Sequence, residues 1–334
     1  MKWRATGPQR ISRLSLKGKR AAAPAGITHL AYCLPARSVA VRELAAQGMV
    51  DSAPEQLEHL GFRRLFVADG ETSYDLAKGA VRKLLRSAAV APGEIDTLIY
   101  ASAIPEERPR RSSGLSGLFR YPATALQYEF EMTRANVIGL AQAGCVSFLS
   151  AIRLASSLLV SEPAVRRVLC VSADALPKSY RREVLYNLIS DGGAAALVER
   201  DAASNRIVSH TQVTKGYFWD PQRQGNEIVA SYFATARHVI QQALDKARLD
   251  MSDIAMVLPH NVNRKSWDIL RGLLNIPPER FYGRNIARKG HTIAADNAIN
   301  LCDAVKEGKV KRGDYLLLFT FGFGAHWACT ILQH

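Results

Sequence analysis

The chain of 334 residues is short of acid. Only 30 Asp and Glu stand against 44 Lys and Arg, a formal net charge of +14 at pH 7. An excess of that size reads either as a solubility bias or as the mark of an acidic partner: a phosphate-bearing cofactor, an acidic carrier protein or nucleic acid. No zinc-finger spacing and no basic helix with base-reading residues is present, which argues against nucleic acid. Cysteine is sparse: Cys33, Cys145, Cys170, Cys302 and Cys329 are scattered, with no CxxC pair. That argues against a zinc site or a disulfide framework, so no metal is expected and reduced thiols in the cytoplasm fit better. No apolar run reaches the roughly 18–20 residues needed to span a bilayer, so a soluble chain with no membrane partner is expected. The first 26 residues hold seven Lys or Arg and no Asp or Glu, but lack the apolar stretch of a secretory signal. Residues 1–25 are read as a basic N-terminal extension, either a surface tail or an organellar transit peptide.

What is present is a rhythm. With 48% hydrophobic residues the chain can bury a large core. Strand-like runs alternate with helix-like runs, the pattern of a layered α/β fold. GITHLAYCLP (Gly26–Pro35), EIDTLIYASAI (Glu94–Ile104), VRRVLCVSAD (Val165–Asp174) and AAALVER (Ala194–Arg200) read as strands. TSYDLAKGAVRKLLRSAAV (Thr72–Val90) has helical spacing, with Thr72 and Asp75 placed for a capping box. The second half repeats the order. ASYFATARHVIQQALDKARL (Ala230–Leu249) is a helix, MSDIAMVLPH (Met251–His260) a strand and NAINLCDAVKEGKV (Asn297–Val310) a helix. DYLLLFTFGFGAHWACTIL (Asp314–Leu332) is a strand pair. A long helix, a short turn pairing Asp with Ile and a strand with a polar end occur in both halves, which suggests an internal duplication. The Arg-, Ser- and Gly-rich segment Glu107–Tyr121 reads as an exposed loop, either a basic docking element or an insertion.

Four of the cysteines lie in apolar runs, where cysteine is a small core residue. Cys145 differs. In VIGLAQAGCVSFLSAIRLASSLL it follows Ala141, Ala143 and Gly144, small residues that permit a sharp turn, and precedes an amphipathic run. At a helix start the free N–H groups and the macrodipole favour an anion, so a thiolate is expected there. Such a nucleophile needs a partner base. His260, after the strand in VLPHNVNRKSW, and His291, in the Gly-led turn of RKGHTIAADNAINL, have suitable contexts. The FGFGAHW turn (Phe321–Trp327) offers backbone N–H groups for the negative charge developing on a thioester carbonyl.

Taken in order, these segments resemble the thiolase superfamily, specifically the β-ketoacyl-acyl-carrier-protein synthase III group, over nearly the whole chain from Gly26. YPATALQYEFEMTRANVIGLAQAGCVSFLSAI resembles the stretch leading into that group's nucleophilic cysteine. NLISDGGAAALVE is similar to its SDGAGA-type turn and PHNVN to its HQAN box. GHTIAADNAINL falls where the group has GNTSAAS, and FGFGAHWA where it has GGGxxWG. The resemblance implies a five-layered αβαβα fold of two duplicated halves, residues 26–205 with the cysteine and 206–334 with the histidines, working as a homodimer. It implies acyl transfer onto Cys145 from a phosphopantetheine thioester, acyl-ACP or acyl-CoA, as substrate, with no permanently bound cofactor. The oxyanion hole would be the backbone N–H groups of Cys145 and Phe323, and His260 would take the histidine role.

The departures matter as much. His291 stands where the group has the asparagine that, with the HQAN histidine, binds the malonyl thioester and stabilises its enolate. Asp296 takes a position that is normally small, where it either orients a histidine or caps the following helix. Cys145, a histidine and Asp296 then resemble a subgroup that transfers acyl groups to a hydroxyl or amine without condensing. Tyr121 replaces the glutamate found before the PATA-like stretch in relatives that join two acyl chains. The tryptophan that often stacks on the adenine of coenzyme A is missing, which favours a carrier-protein donor. Asn263, Arg264 and Lys265 are candidate substrate contacts, the two cations for a carrier's acidic helix or the phosphopantetheine phosphate. Two rivals stay open: decarboxylative condensation giving a β-ketoacyl thioester, and a non-catalytic subunit that only binds acyl carrier protein.

Overall fold

The structure is a computed structural model and describes residues 25–104, 116 and 119–334. All of the 1–25 extension but Ala25, and most of the 107–121 segment, lie outside the described residues.

The first half runs β1 (Gly26–Cys33), α1 (Ser73–Ala88), β2 (Thr97–Ala101), α2 (Pro122–Glu129), β3 (Asn136–Leu140), α3 (Ser147–Ser161), β4 (Arg167–Asp174) and β5 (Gly192–Glu199). The second half runs β6 (Arg206–Thr214), α4 (Gly225–Ala247), β7 (Ile254–Leu258), α5 (Arg264–Leu274), α6 (Asp296–Lys306), β8 (Tyr315–Gly322) and β9 (His326–Gln333). The nine strands form one sheet in the order β7-β8-β9-β6-β1-β5-β4-β2-β3.

That order is a mirror about its centre. β1 pairs antiparallel with β5, β5 antiparallel with β4, β4 parallel with β2 and β2 parallel with β3. From the other side β6 pairs antiparallel with β9, β9 antiparallel with β8 and β8 parallel with β7, which makes a parallel bridge to Phe281. Among the described residues the two half-sheets are in register at one pair, Gly26 and Arg206 of β1 and β6, flanked by hydrogen bonds from Ile27 to Asn205 and from Ile207 to Ala25. This is the thiolase fold: the first half is a βαβαβαββ unit, and the second repeats it with the single bridge at Phe281 in the place of β3.

Side-chain alternation builds the layers. On β4, Val168 and Cys170 face the central core, while Leu169 and Val171 face an outer one. On β8, its counterpart, Leu316 and Leu318 face the same central core, while Leu317 and Phe319 face the second outer core. α3 and α6 fill the middle layer, α1 and α2 cover one outer face, and α4 and α5 cover the other. With its lead-in turn, α3 is apolar and long enough to cross a bilayer by length and composition, a run the sequence reading overlooked. Here Phe148, Leu149, Ile152 and Leu159 are buried in the central core, each contributing about 1.5–3 kcal/mol.

Local signals explain the ends. Thr72 Oγ1 accepts from the Asp75 N–H at 3.2 Å, and the Asp75 carboxylate accepts from the Thr72 N–H at 3.0 Å, so the expected capping box starts α1. Both middle helices start from a single 3₁₀ turn, Gly144–Val146 before α3 and Ile293–Ala295 before α6. Each turn begins at positive φ, +53° for Gly144 and +56° for Ile293.

Candidate active site

The two 3₁₀ turns pack against each other at the centre of the molecule, which brings the start of α3 to the start of α6. Cys145 sits in the first turn and is half-buried. Its Sγ lies 3.4 Å from Nε2 of His291, and Nδ1 of His291 lies 2.5 Å from Oδ2 of Asp296. Sulfur, imidazole and carboxylate thus form one chain, with the nucleophile candidate from one half and the other two groups from the second.

Asp296 is 1% exposed and fully engaged. Besides His291 it accepts from the Asn261 N–H at 2.5 Å, the Thr292 N–H at 2.7 Å and the Thr292 hydroxyl at 2.6 Å. None of these donors lies in α6, so the carboxylate orients the site and is not spent as a cap. Burial pulls the pKa of His291 down, but the charge of Asp296 and then that of the Cys145 sulfur outweigh it and hold the imidazole up at about 10.

His260, at the end of β7, makes no hydrogen bond to the sulfur. Its Nε2 lies 3.4 Å from the Tyr232 hydroxyl on α4, and its ring centre is 6.0 Å from that of His291. It is fully buried, with Trp267 and Phe319 edge-on at 5.7 Å. Burial, and then the charge of His291, depress its pKa well below the ordinary range, so His260 is neutral. The place beside the sulfur, given to His260 by resemblance, is therefore held by His291. The β7 end is fixed by two α6 asparagines. Asn297 donates to the Leu258 carbonyl at 2.9 Å, and Asn300 donates to the Pro259 carbonyl at 2.7 Å.

The turn between β8 and β9 completes the corner. Gly322 has no side chain, and a Cβ there would stand 2.6 Å from the Cys145 nitrogen. A Cβ on Gly144 would be 2.9 Å from the Phe323 carbonyl oxygen and 3.1 Å from its nitrogen. Two glycines thus allow the Cys145 and Phe323 amides to share one small space. Asn263 has a different place: its Oδ1 accepts from the Ser266 N–H at 2.9 Å as the cap of α5, and its Nδ2 donates to Asn187 at 3.0 Å. Arg264 and Lys265 are exposed at the start of that helix. The sequence reading noted Asn261 only as a neighbour of His260 and passed over Tyr232, Thr292 and the asparagine pair of α6. The only signal for the last was the unusual polarity of DNAIN at the start of a buried helix.

A cavity of about 840 Å³ lies on the first-half side, walled by Tyr74, Tyr121, Tyr128, Leu176 and Asp174 among others. Asp174 is 2% exposed. Its Oδ1 accepts from the Ala103 and Ile104 N–H groups at 2.9 Å, and its Oδ2 has no partner. Burial raises its pKa to about 6, against the pull of those two N–H groups and of the His291 charge.

Comparison with known proteins now bears on this geometry. Residues 141–216 match the family model for 3-oxoacyl-[acyl-carrier-protein] synthase III, and residues 244–334 match the model of its C-terminal region. The two matches together cover half of the chain. The chain belongs to the β-ketoacyl-acyl-carrier-protein synthase III group of the thiolase superfamily. The synthase III of Aquifex aeolicus is 28% identical over 299 residues, covering 86% of this chain and 92% of that protein. A crystal structure of 3-oxoacyl-[acyl-carrier-protein] synthase III from the same organism superposes with a TM-score of 0.81 at 25% identity, over 93% of this chain and 100% of that one. ChlB3, an acyltransferase, shares the fold at a TM-score of 0.82 and 19% identity, over 93% and 97% of the two chains. The chain is thus a synthase-III-like enzyme, a transferase in the broad sense.

Proposed function

We propose that this enzyme takes an acyl group from an acyl-carrier-protein or coenzyme A thioester onto Cys145 and passes it to a hydroxyl or amine, without decarboxylative condensation. The observation that carries this is the chain from Cys145 Sγ through His291 to Asp296, with His260 standing apart.

The steps follow from the groups present. With His291 protonated, the Cys145 thiolate attacks the thioester carbonyl, and the N–H groups of Cys145 and Phe323 take the charge on its oxygen. Collapse breaks the carbon–sulfur bond of the donor, and the departing thiolate takes the proton from His291 Nε2. The now neutral imidazole accepts the proton of the incoming hydroxyl or amine as that group attacks the acyl-cysteine. Release of the ester or amide restores the thiolate and the imidazolium. Asp296 stays ionised throughout and keeps Nδ1–H aimed at itself. Arg264 and Lys265 would meet the acidic helix or the phosphate of the donor. We infer further that the halves divide as residues 26–205 and 206–334, and that two copies of the chain work as a homodimer.

The names of the synthase III relatives favour a second reading, condensation with a malonyl thioester, in which His260 and His291 both donate to its carbonyl. Intact mass after incubation with acyl thioesters separates the readings. Acyl transfer predicts added acyl mass on Cys145, lost in Cys145→Ala, and discharge to a hydroxyl or amine. No added mass would indicate a binding subunit. Carbon dioxide release from a malonyl thioester that disappears in His260→Ala would establish condensation instead.

A further inference from the structure

His260 is a buried imidazole that the proposed transfer leaves idle, and its surroundings explain why. Its Nε2 has one polar neighbour among the described residues, the Tyr232 hydroxyl at 3.4 Å. Its Nδ1 has no partner in good hydrogen-bond geometry, the Phe319 backbone also acts on the ring, and the rings of Trp267 and Phe319 close the sides. Tyr232 is held in turn. Its ring stands edge-on to Phe321 at 5.3 Å and to Phe233 at 5.1 Å, and Phe321 packs on Trp327 at 5.0 Å. Burial keeps the phenol protonated, so the hydroxyl is a neutral group able to donate to or accept from the imidazole. For His260 to offer an N–H to a second thioester carbonyl, that carbonyl oxygen must stand where the Tyr232 oxygen stands. A ring nitrogen presents one hydrogen-bonding direction in the plane, and here it is taken.

We propose that Tyr232 determines the specificity of the site: its hydroxyl occupies Nε2 of His260, denies that nitrogen to a malonyl thioester and confines the enzyme to transfer without loss of carbon dioxide. This rests on the acyl-transfer reading above. Tyr232 acts through His260 and is a positioning residue.

The first measurement needs no substrate and so stands apart from acylation of Cys145. In nitrogen-15 spectra of the full chain labelled at histidine, the Nε2 resonance of His260 is expected to move in Tyr232→Phe, while both His291 resonances stay in place and report an intact site. In the wild-type protein a slowly exchanging Tyr232 hydroxyl proton should be seen beside the His260 ring, a test that requires no variant to fold. The second measurement is carbon dioxide release from malonyl-coenzyme A. It is expected at the blank rate in the wild type, at least ~10-fold higher in Tyr232→Phe as an oxyanion donor is freed, and back at the blank in Tyr232→Phe with His260→Ala. The same Nε2 resonance with and without the hydroxyl overturns the proposal, as does release by Tyr232→Phe that stays at the blank. If the His260 spectra behave as stated but Cys145 takes no acyl group, the transfer reading fails and the hydrogen bond stands.

Discussion

Asp296 accepts hydrogen bonds from three residues in a space with almost no solvent, and an amide in its place would turn an N–H₂ toward N–H donors. Asp296→Asn is therefore expected to lose about 10³–10⁴-fold in acyl transfer, the scale on which such a carboxylate matters in a nucleophilic triad. Removing one partner of a buried pair should also cost about 3–5 kcal/mol of stability, read by urea unfolding. The imidazole beside it gives a pH test. The pKa of His291 is raised from an ordinary 6.5 to about 10 in the folded chain, so its contribution is present in full below about pH 6.5 and is lost as the pH climbs toward 10. The stability gap between wild type and His291→Asn should narrow across that window; a constant gap would show that the ring carries no charge. At this scale the sequence was half legible. The nucleophile candidate and both histidines were visible from their contexts. Which histidine stands by the sulfur was not, because the answer depends on Tyr232, from a helix that starts well before the PHNVN segment, and on Asn261 and Thr292 steering a carboxylate.

Turns and caps decide the elements around the site. The β8–β9 turn reaches Cys145 only because two glycines stand at the contact, so Gly322→Ala should push the turn away. The expected result is roughly 10²-fold slower acylation of Cys145, as one oxyanion donor moves, with about 1–3 kcal/mol lost to overpacking. Stopped-flow acylation and thermal unfolding would report the two separately. Element identity was readable where chemistry is local. The Thr72–Asp75 box placed the start of α1, and the apolar runs placed β1, β2, β4 and β5. It failed where the reason is distant. β6 (Arg206–Thr214) was not expected, since its partly exposed residues make it a strand only by pairing with β9. Ile293 at positive φ was beyond reach as well, because β-branched residues avoid that region and only packing of the two turns holds it there.

The whole molecule depends on its middle layer. α3 and α6 bury residues from both halves in one core, whereas the half-sheets themselves are in register at a single pair among the described residues. Residues 26–205 expressed alone should therefore expose the central faces of β4 and β5 and fail to fold cooperatively. Circular dichroism through a urea titration, with binding of a hydrophobic dye, would check this. A sharp two-state transition would show that the first half carries its own core. The duplication was partly legible, since a short turn pairing Asp and Ile precedes both β2 (Ile95-Asp96) and β7 (Asp253-Ile254). The pairing order that makes it certain is a property of register, which no local segment records.

The matched pair of 3₁₀ turns has one more consequence. Counting from the left-handed residue that opens each, Cys145 corresponds to Ala294 and Ser147 to Asp296. Where one copy of the backbone holds out a sulfur, the other holds out a methyl. Where one places a hydroxyl, the other places a carboxylate. Two near-identical scaffolds thus present unlike groups to one shared corner, and four small side chains set the side with the nucleophile candidate apart from the other.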